Sequence, residues 1–275
     1  MLKTERFVNV GCGNRFHEDW LNLDISSASP HVTIADLRKG IPLPDGSCDA
    51  VYNAAFLEHL RKPEAVAFVR ECHRVLKPGG ILRIGVPDLE SICRNYLEKL
   101  EKARLEDEKS MEEYDWMALE LLDQLTREKS GGEMEAFLKR PAYHNFDFIQ
   151  ERIGVEAEAI RASGQTSVKD SGSRLSIRAA HRSLAKAAYS VVGWLIGKHR
   201  LHAYSVGKFR LGGEAHQWMY DRFSLQRLLA STGFKDISLV RPATSRIPGW
   251  ERFHLDTTPE GRVIKADLFF MEGIR

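Results

Sequence analysis

Cysteine is scarce in this 275-residue chain and shows no pairing pattern. Cys12, Cys48, Cys72 and Cys93 are scattered, with no Cys-x-x-Cys. That argues against a disulfide scaffold and a zinc ribbon and fits a reducing compartment. No window approaches ~18 consecutive apolar residues, so no bilayer span is expected. The opening MLKTERFVNVGCG lacks the apolar stretch of a signal peptide, which points to a cytoplasmic location. There is no His-x-x-x-His and no assignable carboxylate pair at loop positions, so no metal centre is expected. What remains is ordinary: 43% hydrophobic and 28% charged residues, a globular composition with ample chain for a core.

Charge of one sign is also missing from the total, which is +2, yet not from its parts. Residues 1–97 are neutral and 211–275 carry +1. Residues 98–135 carry −7, and 160–210 carry +9. Two opposed blocks in the middle of a balanced chain mark an interaction surface.

Short β-rich runs occupy residues 6–10, 21–24, 31–35, 50–53 and 81–86. Residues 63–76 place Ala65, Phe68, Val69, Cys72, Val75 and Leu76 at helical spacing. Lys77-Pro78-Gly79-Gly80 stops that helix and turns the chain into the next strand. Residues 89–135 read as a long charged helix broken at Gly131-Gly132, and 161–173 as a Ser/Gly-rich mobile linker. The end returns to a short helix at 224–232 and strands at 235–240 and 263–271. The expected fold is α/β with a mostly parallel sheet. Residues 1–88 and 211–275 form the sheet domain, and 89–210 a helical insertion.

The first run ends in Gly11-Cys12-Gly13-Asn14, where glycine lets the backbone turn tightly beside a ligand. Asp24 ends the second run, placed to accept from a ribose diol. Asp36 ends the third and can accept from an adenine amino group or cap a turn. A dinucleotide fold wants Gly-x-Gly-x-x-Gly and an acid about 20 residues on. Here Asp24 follows Gly13 by only 11 residues, with a strand to fit between. That leaves a turn of helix at most, and a pyrophosphate needs a regular helix N-terminus. An adenosine cofactor without phosphate fits better, and S-adenosylmethionine is one.

VNVGCG, LNLD, ADLRKGIPLPDGSCDAVYNAAFLEHL and ECHRVLKPGGILRIGVPD, in that order, resemble class I S-adenosylmethionine-dependent methyltransferases. The resemblance implies a Rossmann-like seven-stranded sheet with an antiparallel last strand, and cofactor contacts at Gly11, Cys12, Gly13, Asp24, Asp36, Leu37 and Asn53. The family's acid two residues before the first glycine is Asn9 here, and its third glycine is Arg15. The compressed loop with Trp20, and the stretches LLDQLTREKSGGEM and GEAHQWMYDRFSLQRLL, are similar to a bacterial subgroup associated with cell-surface polysaccharide genes. That implies a small-molecule or saccharide acceptor.

Methyl transfer needs alignment and exclusion of water, and a hydroxyl acceptor also needs a base. The candidate catalytic residues are His144, His216 and Asp88. Asn53, Glu58, Trp218, Tyr220 and Asp221 are further candidates for holding the acceptor. His59 reads as a helix-face or capping residue. On a helix over 174–197, Ile177, Ala180, Leu184, Ala188, Val191 and Leu195 oppose Arg178, Arg182 and Lys186. That pattern suits either an interfacial helix on the inner membrane face, through 174–200, or a cap packed on the protein. Nucleic acid fits less well, because stacking aromatics do not interleave the basic residues. Two other readings stay open: a non-catalytic binding scaffold, and an RNA methyltransferase using 160–210 as a basic arm.

Overall fold

The computed structural model describes residues 6–104, 107–140, 144–169 and 197–275. Seven strands form one sheet: β1 (Phe7–Val10), β2 (Leu21–Asp24), β3 (Val32–Ile34), β4 (Cys48–Ala54), β5 (Leu76–Pro87), β6 (Lys235–Val240) and β7 (Leu268–Ile274). Their spatial order is β3-β2-β1-β4-β5-β7-β6. β1 to β5 pair in parallel, while β7 pairs antiparallel with both β5 and β6. The sheet is thus the expected one, and its order reverses between β1 and β4, where such sheets bind ligands.

Period-two alternation sorts the side chains onto two faces. Val8, Val10 and Val51 join the core under α1 (Lys62–Val75), whose Ala65, Phe68, Val69, Cys72 and Val75 are all buried. Phe7, Ala50 and Tyr52 face the other way, into an aromatic cluster with Trp20, Trp250 and Phe253. Lys77 to Gly80 lie within β5, but the register with β4 jumps there, from Cys48 opposite Leu76 to Ala50 opposite Ile81.

Near that turn Arg74 bonds Glu71 at 2.8 and 2.7 Å and Asp45 at 2.7 Å, and Glu71 also accepts the Ile41 N–H at 3.0 Å. The Arg74 guanidinium holds the Glu71 carboxyl below the usual carboxylate range. The resulting stability is present above the unfolded-state pKa and lost as pH falls through the folded one. Glu71→Gln should therefore cost about 1 kcal/mol at pH 7 and nothing at pH 2. Melting temperatures of the two proteins at both pH values check this.

The insertion departs from the sequence expectation in two places. Residues 89–135 are not one helix broken at Gly131-Gly132. They form α2 (Leu89–Ala103), α3 (Glu108–Thr126) and the first residues of α4 (Gly132–Leu138). Asp107 caps α3 by accepting the Ser110 N–H at 2.9 Å, a start signal within the charged run. The fold-back buries Ile92 with Trp116, Met117 and Phe137 in a separate core, which α5 (Phe146–Ile153) and α6 (Val155–Lys169) complete.

The second departure concerns the linker. Its residues 161–169 continue α6, whose first turns are anchored by fully buried Ala157. The rest of that linker and the amphipathic stretch through Ile196 lie outside the described residues. Description resumes before α7 (Lys198–Arg210), followed by α8 (Arg222–Ser231). Among the described residues no helix is long and apolar enough to cross a membrane.

The last strand also starts later than its sequence suggests, at Leu268 rather than residue 263. Residues 263–267 are held outside the sheet. Val155 N–H bonds the Val263 carbonyl at 3.4 Å, and Ile264 N–H bonds the Asp256 carbonyl at 3.1 Å. Gly154 lies so close that a Cβ there would come within 2.7 Å of both the Val263 and Ile264 carbonyls.

Candidate cofactor and acceptor site

Strands β1 to β5 end at one sheet edge, and their end loops enclose three cavities. The first, about 350 Å³, is lined by Gly11, Gly13, Asp24, Asp36, Leu37 and Phe56 among others. Between β1 and β2 there is no helix. The compressed loop is tied down by amides instead: Asn9 Nδ2 bonds the Arg15 carbonyl (3.0 Å) and Asn22 Oδ1 (3.2 Å). Asn22 Nδ2 reaches the His17, Trp20 and His31 carbonyls. Asn9 thus stands in the acid's place as a buried structural tie.

Gly11 and Gly13 adopt φ of 69° and 53°. A Cβ on Gly11 would lie 2.5 Å from the Phe56 ring, whereas one on Gly13 would meet nothing within 4 Å. Gly11→Ala combines that clash with a left-handed φ. It is expected to lower the melting temperature and weaken cofactor binding at least tenfold. Calorimetric titration with S-adenosylmethionine alongside a thermal melt reads both effects.

Asp24 Oδ2 accepts the Gly13 N–H at 2.8 Å and Oδ1 the Ser26 N–H at 3.3 Å. A carboxylate has about four acceptor positions, so two remain for a ribose diol. Ile25 and Leu37 supply apolar wall beside it. This carboxylate, the glycine cradle and the missing phosphate-binding helix fit S-adenosylmethionine.

Asp36 also lines this cavity, but it caps the turn Leu37–Lys39 and is clamped by Arg38 at 2.9 and 3.2 Å. That bond keeps its carboxyl below the usual range. Cys12 lines a second cavity of about 280 Å³ with Asn9, Arg15, Tyr52 and Asp256, and burial pushes its thiol to about 12. Asn53 is fully buried, its Nδ2 bonded to the Val10 carbonyl at 2.8 Å. It ties β4 to β1 and, contrary to the sequence expectation, lines none of these three cavities.

The third cavity, about 350 Å³, lies between the sheet edge and the insertion. Ala55, at φ 53°, lines all three. Around the third stand Glu58, His59, His216, Lys265 and Asp267. Burial drives Glu58 up to about 8, Asp267 up to about 7 and His59 down to about 4. His216 falls well below its ordinary value through burial and the neighbouring His59. Burial opposes the charge on Lys265, but Glu156, Asp267 and Glu58 hold its pKa above normal.

Of the expected catalytic residues, His216 lines one of these three cavities and the other two do not. Asp88 caps α2, accepting the Ser91 N–H at 3.0 Å. His144 is exposed beside Glu112, with Nδ1 to Oε1 at 3.4 Å. The 216–221 cluster is divided among three tasks. Trp218 lies under the Lys62 ammonium at 3.5 Å, Tyr220 packs in the core, and Asp221 caps α8 through Ser224. His59, Lys265 and Asp267 escaped sequence reasoning. The detectable signal was a Lys and an Asp set within the apolar run VIKADLFF.

The strand order, with a carboxylate beside a glycine turn at the switch point, is that of a Rossmann-like sheet suited to S-adenosylmethionine. Residues 8–84 match the family described as Methyltransferase domain. A probable S-adenosylmethionine-dependent methyltransferase of Mycolicibacterium smegmatis is 35% identical over 98 residues, 30% of this chain and 37% of that protein. One of Mycobacterium tuberculosis is 46% identical over 66 residues, 23% of each chain. The chain thus spans 37% of the length of the first relative and 23% of the second. A solved S-adenosylmethionine-dependent methyltransferase of Archaeoglobus fulgidus aligns over 98% of this chain and 86% of its own, at 11% identity and a TM-score of 0.38.

Proposed function

We propose that the chain methylates an oxygen nucleophile of a small molecule or saccharide held between the sheet edge and the insertion. The observation that carries this is the meeting of the cavities at Ala55, where the cofactor pocket adjoins a chamber lined by titratable groups. When bound, S-adenosylmethionine supplies an electrophilic methyl carbon, whose bond to sulfur breaks, leaving the electron pair on sulfur, as a bond to the acceptor oxygen forms.

The chain's own residues orient, shield and deprotonate. Asp24 and the glycine loop fix the cofactor end, and the insertion roofs the acceptor chamber against water. The acceptor's proton needs a base matched to neutral pH. His59 and His216 are uncharged but too weakly basic. Asp267, near 7 and with Oδ1 buried and unpartnered, is matched, and it is the proposed base. The saccharide part of the reading is supported by the resemblance of the insertion to the polysaccharide-associated subgroup. Incubation with labelled S-adenosylmethionine and a panel of sugar nucleotides, lipid-linked sugars and free hydroxy acids tests it. Label in a methyl ether supports the reading; label only in nitrogen or carbon products, or none, overturns it.

A further inference from the structure

Asp267 accounts for proton removal but leaves Arg127 Nε and three lone-pair-bearing groups in the same chamber without partners. Glu58 Oε2, His59 Nδ1 and His216 Nδ1 are buried and have no hydrogen-bond partner. Glu58 is 1% exposed and His216 4%. Each unsatisfied buried group costs roughly 1–3 kcal/mol, so the chain tolerates a substantial penalty to gather them. The three residues each offer a ligand atom, all within 4.8 Å of one another.

The donor chemistry narrows what would satisfy them. Two imidazole nitrogens and a carboxyl oxygen gathered this closely can each offer a lone pair, a donor set that suits a cation. The Ala215 backbone carbonyl lies beside the His59 ring and works against the effect of burial on it. The rings stand edge to face, at 81° and 4.8 Å between centroids, so both can aim at one point without stacking.

The backbone builds the cluster. The Glu58 carbonyl accepts the N–H groups of Gln217 (2.7 Å) and Trp218 (3.2 Å), clasping 216–218 against 57–59. His216 N–H bonds the Gln124 carbonyl at 3.0 Å. Two cations line the same chamber and oppose a third. Each has a carboxylate of its own: Arg127 pairs with Asp123 at 2.5 Å, and Lys265 with Glu156 at 3.5 Å.

We propose that Glu58, His59 and His216 form a three-ligand site for a first-row divalent cation of zinc type, with its open position toward the acceptor chamber. Two imidazoles and a carboxylate with a free fourth position is the donor set of catalytic zinc. A cation there would polarise the acceptor hydroxyl and bring its proton within reach of Asp267. That role rests on the methyl-transfer reading, whereas cation binding does not.

The test is calorimetric titration of the full chain with Zn²⁺ alone, repeated with Co²⁺ followed by visible absorption. One equivalent of Zn²⁺ at micromolar affinity or tighter is expected, with a tetrahedral or five-coordinate Co²⁺ spectrum. Glu58→Gln and His216→Ala should each weaken Zn²⁺ at least tenfold while leaving S-adenosylmethionine affinity unchanged. Melting without metal checks that both variants fold, and the near-isosteric glutamine serves if the alanine does not. No stoichiometric binding, or Zn²⁺ binding unaltered in both folded variants, overturns the site. Stoichiometric Zn²⁺ binding together with methyl transfer indifferent to its removal overturns only the activating role. Loss of S-adenosylmethionine binding in the wild type would instead fault the methyl-transfer reading.

Discussion

Asp267→Asn is expected to lower the methyl-transfer rate about 10²–10⁴-fold, the usual contribution of a positioned general base. The same change should stabilise the protein near and above neutral pH, and the sign follows from the direction of the shift. Burial raises the folded-state pKa to about 7, above the ordinary aspartate value of about 3.9. Between those values the unfolded chain gives up a proton that the folded chain keeps. Asp267 therefore costs stability progressively as pH rises from about 4 to 7, and fully above that. The variant should melt with the wild type at pH 3 and above it at pH 8. The wild-type rate should climb through pH 7 as the carboxyl ionises. A variant that turns over at the wild-type rate would remove Asp267 from the mechanism.

Asp24→Ala is the second large effect. Asp24 is placed to take two ribose hydroxyls, and hydrogen bonds to a charged group contribute about 1.5–3 kcal/mol each. The expected loss is at least two orders of magnitude in S-adenosylmethionine affinity by calorimetry. Part of it comes from freeing the Gly13 N–H that Asp24 holds at 2.8 Å. Asp36→Ala is the internal control. That carboxylate is already committed to Arg38, so its loss should cost much less. Equal losses at the two positions would mean that the ribose is read elsewhere.

The sheet was legible because parallel strands buried on both faces read as short apolar runs with loops at fixed places. β2 falls on LNLD as read from sequence, and α1 within a residue at each end. The meeting of Gly11, Gly13 and Asp24 around one cavity was legible for the same reason: they sit at strand ends, where local sequence decides position. The acceptor half was not. His144 and Asp88 carry suitable chemistry, but one faces solvent and the other caps a helix. His59, His216 and Asp267 gain their character from burial and from one another, and they come from parts of the chain up to 208 residues apart. Nothing local in sequence encodes that meeting. The helix break at Asp107 was a local signal, a cap inside a charged run, hidden by the run's unbroken polarity.

The wall of the cofactor cavity includes Arg210, Leu211, Gly212 and Gly213, the stretch by which the insertion returns to the sheet. Arg210 anchors it by donating to the Leu125 carbonyl at 3.0 Å, on α3. The chain that walls this cavity runs directly on into Glu214 and His216, which line the neighbouring chamber. One stretch of backbone therefore borders both cavities, and a substitution that shifts it would reshape the two together.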